Sequence, residues 1–346
     1  MRFLCIGAGA VGAYLGGSLA AADCPVTFLL RPATAEALGA RGLQITQGGV
    51  TSAVREVTIV TSPAEALAAK PAIILLALKA YDTAAALDDL RPFAASLPPI
   101  LCLQNGIGNE EVIAQVIGAH NVIAGTVTTA VSRTGPGQIV VERKRGVGVA
   151  LGHPLSETLV EIFNRAGLNT RAYASRSAGP MKWSKLLTNL VGNAASAILD
   201  MAVAEIFGDP RLFAMERAAL RECLGVMRAL HYPVVDLPGT PVGALAFGLQ
   251  LPPVIGRPLL QRGVASGRGG KMPSFYIDLR QGNRQTEVRW LNGAVVRAGA
   301  DAERGVPTPI NRGLTEIVEA LSAGQLSLTE FQRRPEALLK RLNMLR

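Results

Sequence analysis

The chain has 346 residues, 49% hydrophobic and 18% charged, a composition of folded domains with a sizeable core that excludes an intrinsically disordered chain. Domains usually run to ~100–200 residues, so two are expected. The formal net charge of +9 comes mainly from scattered arginines, densest at Arg143-Lys144-Arg145 and Arg333-Arg334. No basic helix or aromatic-basic platform accompanies them, so nucleic acid is not an expected partner, whereas anionic small molecules are.

The N-terminus superficially imitates a secretory signal, with Met1-Arg2, an apolar run and Ala20-Ala21-Ala22. Gly7, Gly9, Gly12, Gly16 and Gly17 would weaken a signal helix, and the first three fall where a nucleotide-binding turn needs them. Residues 2–6 read as a short buried strand, followed by a glycine turn, a helix from Val11 to Ala22 and a second strand from Val26 to Leu30. Ala72 to Leu78 is an almost unbroken apolar run, as in a strand buried on both faces of a parallel sheet, and Ile100 to Leu103 and Val122 to Thr126 repeat the pattern. Helical stretches such as Pro63 to Ala69 and Asn109 to Ile117 lie between them, so the first part reads as a doubly wound α/β sheet.

From about Ser175 the pattern changes to long helices: Lys182 to Leu199, Leu212 to Leu230, Glu287 to Arg297 and Asn311 to Ala323. We therefore expect a Rossmann-type domain over 1–175 and an all-helical domain over 176–346. The Pro/Gly-rich stretch 231–273 reads as an irregular connection with one short helix. No other segment of about 18 apolar residues occurs, so no membrane span is expected. Cys5, Cys24, Cys102 and Cys223 form no C-x-x-C and no metal-ligand spacing with His120, His153 or His231, which points to reduced thiols in the cytoplasm and no metal.

The turn Gly7-Ala8-Gly9-Ala10-Val11-Gly12 is a G-x-G-x-x-G. Alone the pattern is weak; here it follows a strand, opens a helix and precedes a second strand, which is the context its mechanism needs. Gly7 permits the tight turn, Gly9 lets the backbone approach a pyrophosphate, and Gly12 lets the helix pack on the sheet. The helix N-terminus, including Ala10 and Val11, then offers free N–H groups and a partial positive charge to phosphates.

Position 31 follows the second strand, where an enzyme using NAD usually carries Asp or Glu to accept from the ribose hydroxyls. Here it is Arg31. A guanidinium can bind the 2′-phosphate of NADP through two parallel hydrogen bonds, and charge-assisted bonds of ~1.5–3 kcal/mol give roughly a ten- to hundred-fold preference for NADP. An ordinary surface arginine is the alternative. Lys79 and Gln104-Asn105-Gly106 each close an apolar strand, where ligands of open α/β sheets bind; Lys79 is expected to face cofactor or substrate and Asn105 the ribose or nicotinamide amide. Spacing leaves open an exposed lysine and a turn-forming Asn-Gly.

In the second half, Lys185, Asn189 and Asn193 recur at i, i+4 and i+8 and form one stripe about 80° wide on a helix. Leu186, Leu187, Leu190, Val191, Ala194 and Ile198 occupy the opposite face. Buried amides without partners cost ~1–3 kcal/mol each, so a substrate with oxygens would satisfy such a stripe; a solvent-facing stripe is the alternative. Gly192 beside it suggests close approach of a ligand or backbone. Ser274 reads as a helix cap, Asp278 as a surface charge, and Thr286 or Gln285 as the cap of a helix starting at Glu287.

Together these segments resemble the ketopantoate reductase (2-dehydropantoate 2-reductase) family over almost the whole chain. The resemblance rests on the glycine turn with Arg31, Leu78-Lys79-Ala80, Gln104-Asn105-Gly106, Gly125-Thr126, Gly135 to Ile139, Lys185-x-x-x-Asn189-x-x-x-Asn193, Ser274, Asp278, Thr286-Glu287, Asn292-Gly293 and Gly305-Val306-Pro307-Thr308-Pro309-x-Asn311. It implies an active site in the cleft between a Rossmann and a helical domain, and NADPH-dependent reduction of a 2-oxo acid. Lys185 would be the general acid, Asn189, Asn193 and Ser274 would hold the substrate's hydroxyl and carboxylate, Glu287 would bind cofactor ribose or orient the site, and Lys79 and Asn105 would contact the nicotinamide end. An ammonium donates a proton and stabilises developing negative charge, and partial burial brings its pKa toward the working range.

The chain departs from the family in the length of 231–273 and at Lys271, where a small polar substrate contact is expected. The leading expectation is reduction of ketopantoate to pantoate, towards coenzyme A. Other readings are another branched 2-oxo acid, or a non-catalytic NADP(H) sensor, against which the Lys-Asn-Asn stripe speaks. A homodimer is compatible with the sequence and not specified by it.

Overall fold

The computed structural model describes residues 1–54, 57–268 and 272–345; Lys271 lies outside the described residues. The chain divides into two compact units, Met1–Lys182 with Leu237–Thr240, and Trp183–Asp236 with Pro241–Arg346. Sequence placed the division after residue 175. The helix Ala178–Leu190 spans the join, its residues up to Lys182 belonging to the first unit, where Lys182 is bonded, and those from Trp183 to the second.

Among its described residues the first unit holds twelve strands: β1 (Phe3–Ile6), β2 (Val26–Leu29), β3 (Leu43–Gln47), β4 (Val50–Val54), β5 (Thr58–Val60), β6 (Ile73–Leu76), β7 (Ile100–Cys102), β8 (Val122–Val127), β9 (Ala130–Gly135), β10 (Gln138–Arg143), β11 (Val147–Ala150) and β12 (Thr170–Tyr173). Eight form one sheet in the order β12-β11-β8-β7-β6-β1-β2-β5. From β5 to β8 all neighbours are parallel, and β11 is antiparallel to β8. The chain winds outward from β1 through β2 to β5, then crosses back to β6 and winds the other way. The winding reverses between β1 and β6, which is the Rossmann arrangement and the place where such sheets bind ligands.

The apolar runs behave as two-sided strands. Phe3, Cys5, Ile73 and Leu75 pack into the core on one face; Leu4, Ile6, Ile74 and Leu76 pack into the core on the other. Full burial of such side chains contributes roughly 1.5–3 kcal/mol each. The flanking helices are α1 (Ala10–Ala20), α2 (Pro32–Arg41), α3 (Pro63–Ala68), α4 (Thr83–Leu90), α5 (Asn109–Ile117) and α6 (Ser156–Arg165).

A second sheet, β4-β3-β10-β9, was not foreseen. Its strands are mostly half-buried or exposed, with few core residues, so their apolar signal is weak. Gly48 and Gly49 at positive φ turn β3 into β4, and Gly135 to Ile139, one of the segments that carry the resemblance, forms the turn and first residues of the β9–β10 hairpin. This sheet covers α1. A Cβ on Gly17 would stand 2.8 Å from Leu43, and one on Gly16 would stand 2.5 Å from Phe28, so α1 is thin on two sides and enclosed by both sheets.

The second unit is helical: α7 (Ala178–Leu190), α8 (Asn193–Leu199), α9 (Val203–Gly208), α10 (Pro210–Ala229), α11 (Val242–Gln250), α12 (Pro253–Arg268), α13 (Ser274–Arg280), α14 (Asn292–Asp301), α15 (Pro309–Ser322), α16 (Leu328–Phe331) and α17 (Pro335–Arg341). Among the described residues of 231–273, an irregular segment up to Pro241 is followed by two helices, α11 and α12, where one short helix was expected. The prolines of this stretch mostly stand at helix starts or outside helices, where a missing N–H costs little; Pro258 alone lies inside α12. Residues 237–240 form a tight turn that belongs to the first unit, with the Pro238 carbonyl accepting from Thr128 Oγ1 at 2.7 Å. Asn311, fully buried, joins three helices: its Nδ2 donates to the Ala219 carbonyl (2.8 Å) and to Glu222 (2.7 Å), and its Oδ1 accepts from Asn292 (3.0 Å). Glu222 also accepts from the N–H groups of Ile310 and Asn311 that open α15, both at 2.9 Å. Among the described residues no helix is long and apolar enough to cross a membrane.

Asp209 caps α10, accepting from the N–H of Arg211 at 2.7 Å and of Leu212 at 3.2 Å. Burial pushes its carboxyl up, but the Arg211 side chain and the two N–H groups outweigh this and hold it below the usual carboxylate range. A depressed carboxylate contributes stability above its unfolded pKa and loses it as pH falls through the folded value. Asp209→Ala is expected to cost ~1 kcal/mol near neutral pH. The gap to the parent should narrow below about pH 4, read by urea unfolding at two pH values; an unchanged gap would contradict the assignment.

Candidate active site

The glycine turn has the asymmetry that a pyrophosphate cradle requires. Gly7 turns the chain at φ +96, where a Cβ would stand 2.6 Å from Leu78 Cδ2; a Cβ on Gly12 would stand 2.1 Å from the Gly7 carbonyl oxygen. Both positions are closed by the protein's own atoms. Gly9 is different, with nothing within 4 Å of the place its Cβ would take. The helix α1 begins at Ala10 with Gly9 as its cap residue and no side chain capping it, and its ladder opens with the Ala13 N–H on the Gly9 carbonyl at 2.9 Å. The N–H groups of Ala10, Val11 and Gly12 precede that ladder, and they lie beside the open face of Gly9. The residues present therefore fit the phosphates of a dinucleotide.

Around this turn the carboxyl ends of three further strands supply more groups. Arg31 follows β2, opens α2 and is largely exposed; its guanidinium donates to Asp82 Oδ1 at 2.8 Å. Lys79 follows β6 and Asn105 follows β7, and both are half-buried. Gln104 ties these two loops together: its buried amide donates to the Leu78 carbonyl (3.1 Å), the Lys79 carbonyl (3.4 Å) and Thr83 Oγ1 (2.7 Å). Asn109 holds the Asn105 carbonyl at 3.0 Å from the start of α5. The structure thus gathers Gly7, Gly9, Ala10, Val11, Gly12, Arg31, Lys79 and Asn105 at one end of one sheet.

A buried cation underlies this end. Lys182 Nζ donates to the Gln104 carbonyl at 2.8 Å and the Gly125 carbonyl at 3.4 Å, and pairs with Glu110 at 2.7 Å. Burial by itself pulls this ammonium down, but the charge and hydrogen bond of Glu110, with Cys102 and Glu111 nearby, together outweigh it and the net shift is upward. Cys102 lies in the same cluster, its Sγ directed at Gln104 Oε1, and burial pushes its thiol far up, so it is no thiolate at neutral pH. Burial does the same to Cys5, raised to about 12.

In the second unit, Lys185 and Asn189 stand one turn apart on α7, both half-buried. The expected continuous helix from Lys182 to Leu199 does not form. The helix stops at Leu190 and restarts at Asn193, with Gly192 between them at φ +63. A Cβ there would stand 2.4 Å from Val203, and the Gly192 N–H is taken by the buried Glu216 at 2.9 Å. Gly192 is therefore explained by a left-handed break packed on α9, and the i+8 stripe is broken before Asn193.

Asn193 and Ser274 are nevertheless brought together. Asn193 is buried; its Nδ2 donates to Ser274 Oγ at 3.5 Å and its Oδ1 accepts from the Phe275 N–H at 3.2 Å. Asn193 thereby serves the start of α13, and Ser274 is the exposed first residue of that helix rather than its cap. Asp278, expected on the surface, is buried and accepts from Asn283 Nδ2 at 3.4 Å. Thr286 Oγ1 accepts from the Val288 N–H at 3.5 Å, and the residues it caps, Glu287–Trp290, form a 3-10 turn before α14. Glu287 is buried at the head of that turn. Asp82, Glu110, Lys182 and Glu216 had escaped sequence reasoning. Their partners lie 24 to 72 positions away, and no periodicity marks such pairs.

An open glycine cradle at the reversal point of a Rossmann sheet, followed by a helical unit bearing lysine, asparagine and serine, defines a two-unit oxidoreductase of the nicotinamide-dependent class. The chain belongs to the ketopantoate reductase family: residues 3–152 match Ketopantoate reductase PanE/ApbA and residues 179–322 match Ketopantoate reductase PanE/ApbA C terminal. A 2-dehydropantoate 2-reductase of Halobacterium salinarum is 30% identical over 327 residues, covering 92% of this chain and 98% of the relative. Among solved structures, a PanE/ApbA family ketopantoate reductase from Ralstonia eutropha JMP134 is 27% identical with a TM-score of 0.78, covering 94% of this chain and 99% of that one. A D-mandelate dehydrogenase, solved with NADH and anilino(oxo)acetate, shares the fold at 24% identity and a TM-score of 0.74, covering 94% and 99%. The family makes the chain an oxo acid reductase.

Removing one member of a buried ion pair typically costs ~3–5 kcal/mol, because the other charge is stranded. Lys182→Met should therefore lower unfolding free energy by about that amount, and adding Glu110→Gln should restore most of it. Chemical denaturation of the two variants checks this; no recovery in the double variant would show that the pair is not the source.

Proposed function

We propose that this protein reduces 2-dehydropantoate to pantoate with NADPH. The reading is supported by one observation above others: a single chain of this family carries both the open cradle with Arg31 at the end of β2 and the Lys185–Asn189 turn of α7, with Asn193 and Ser274 joined beside α13.

In this reading the first unit holds the cofactor. Gly7, Gly9, Ala10, Val11 and Gly12 receive the pyrophosphate, Arg31 receives the 2′-phosphate, and Lys79 and Asn105 attend the nicotinamide end. When bound, the reduced nicotinamide supplies a hydride for the 2-oxo carbon. The second unit supplies the rest. The Lys185 ammonium stabilises the negative charge that develops on the carbonyl oxygen and then donates its proton there, giving the hydroxyl. Asn189, Asn193 and Ser274 bind the hydroxyl and carboxylate of the substrate. The bond from Asn193 to Ser274 fixes the serine in place before substrate arrives, which reduces the ordering that binding must overcome. Glu287 binds cofactor ribose or orients the site.

A second reading keeps the chemistry and changes the acid. A D-mandelate dehydrogenase has the same fold, so the fold does not by itself select ketopantoate among 2-oxo acids. NADPH oxidation with a panel of 2-oxo acids separates the two; turnover of others but not ketopantoate would select the second.

Two substitutions test the assigned roles. Lys185→Ala should lower kcat by ~10²–10⁴-fold at saturating NADPH, and a loss below threefold would remove Lys185 from the mechanism. Arg31→Ala should lower the ratio of NADPH to NADH efficiency by roughly ten- to a hundred-fold, and an unchanged ratio would overturn the NADPH assignment.

A further inference from the structure

We infer that Asp82 is a specificity-determining residue that opposes Arg31, favouring a ribose 2′-hydroxyl where Arg31 favours a 2′-phosphate. The inference rests on the NADPH reading above and concerns this chain's own pair of side chains.

The geometry points to it in three ways. Asp82 ends the 3-10 turn Ala80–Asp82 that follows β6, so it stands on the same end of the sheet as the glycine turn and Lys79. Its Oδ1 lies 2.8 Å from the Arg31 guanidinium, although the two residues are 51 positions apart. Finally, Asp82 runs from that turn directly into α4 with helical backbone, at φ −90 and ψ −6, and its side chain makes no cap bond to the helix. The carboxylate has no cap role there and is held by Arg31.

A carboxylate at that distance acts on the two cofactors in opposite directions. A 2′-phosphate drawn to Arg31 meets the Asp82 charge, which repels it and competes for the same N–H donors. A 2′-hydroxyl can instead donate to Asp82, as it does to the acid that ends the second strand in NAD enzymes. Arg31 thus occupies the sequence position of that acid, while Asp82 returns a carboxylate to the same neighbourhood from another strand end. The parent protein should accordingly bind both cofactors, with a preference for NADPH smaller than Arg31 alone would give. Part of the pair is exposed, with side-chain exposures of 75% for Arg31 and 28% for Asp82, so solvent screening keeps the effect moderate.

The test is binding in the absence of substrate, measured by cofactor fluorescence titration on the full chain. Asp82→Asn should tighten NADPH and weaken NADH, raising the ratio of their dissociation constants by about five- to thirty-fold. A ratio that moves less than twofold would overturn the inference. So would weaker NADPH binding in Asp82→Asn, which would mean that Asp82 merely positions Arg31 for the phosphate. Arg31→Ala in the same assay keeps the two claims apart. If Arg31→Ala lowers the ratio and Asp82→Asn leaves it, the inference fails and the NADPH reading stands; if Arg31→Ala leaves the ratio unchanged, the NADPH reading fails. Thermal unfolding midpoints of both variants without cofactor check that the fold is intact.

Discussion

The absence of two β-carbons governs the first unit. With hydrogen at Gly12, the helix α1 can lie against the Gly7 carbonyl, and with hydrogen at Gly7 the turn can lie against Leu78. A single methyl group at either place would collide at 2.1 or 2.6 Å. Close approach there places the uncapped start of α1 at the point where strand winding reverses. The groups at neighbouring strand ends follow from it. Arg31, Lys79 and Asn105 are far apart in sequence, and parallel neighbours in one sheet put their strand ends side by side. Gly16 and Gly17 extend the same logic along α1, letting Phe28 on one side and Leu43 on the other come within reach.

The second unit is organised by buried polar groups rather than by apolar periodicity alone. The break at Gly192 leaves an N–H without a helical partner, and Glu216 supplies one. The start of α15 is received by Glu222, and the start of α13 by Asn193. Each is a long-range cap: the acceptor belongs to another helix, so satisfying the backbone also fixes how the helices pack. The break that shifts Asn193 off the α7 stripe is also what carries it to Ser274. Asn193 and Ser274, which the resemblance assigns to substrate, are thereby held by bonds that also build the unit.

Charge is handled differently in the interior and at the rim. Lys182 and Glu110 are buried together, and two backbone carbonyls complete the ammonium's shell, as a buried cation requires. Through Gln104 this pair is continuous with the loops that carry Lys79 and Asn105. At the rim, Arg31 and Asp82 meet in partial solvent, where a charge pair contributes little to stability and remains available to a ligand.

Much of this was written in local sequence. The two-faced strands, the glycine turn and the change to helices at about Ser175 are properties of near neighbours, and periodicity and backbone freedom report them directly. Lys185 and Asn189 are one turn apart on any helix that contains them. What local pattern could not give was the small second sheet, whose strands bury too little to leave an apolar signal, and the helices within 231–273, whose prolines imitate a loop. It left Gly192 open between approach of a ligand and of a backbone, because a glycine beside a polar stripe looks the same whether a ligand, a close neighbour or a chain reversal requires it. Val203 and Glu216, brought in by folding, decide between those meanings. The sequence determined which chemistry-bearing residues the chain owns and which elements carry them. Tertiary structure alone decided their partners, Asp82 for Arg31, Glu110 for Lys182 and Ser274 for Asn193, since distance in space is set by packing and distance along the chain says nothing of it.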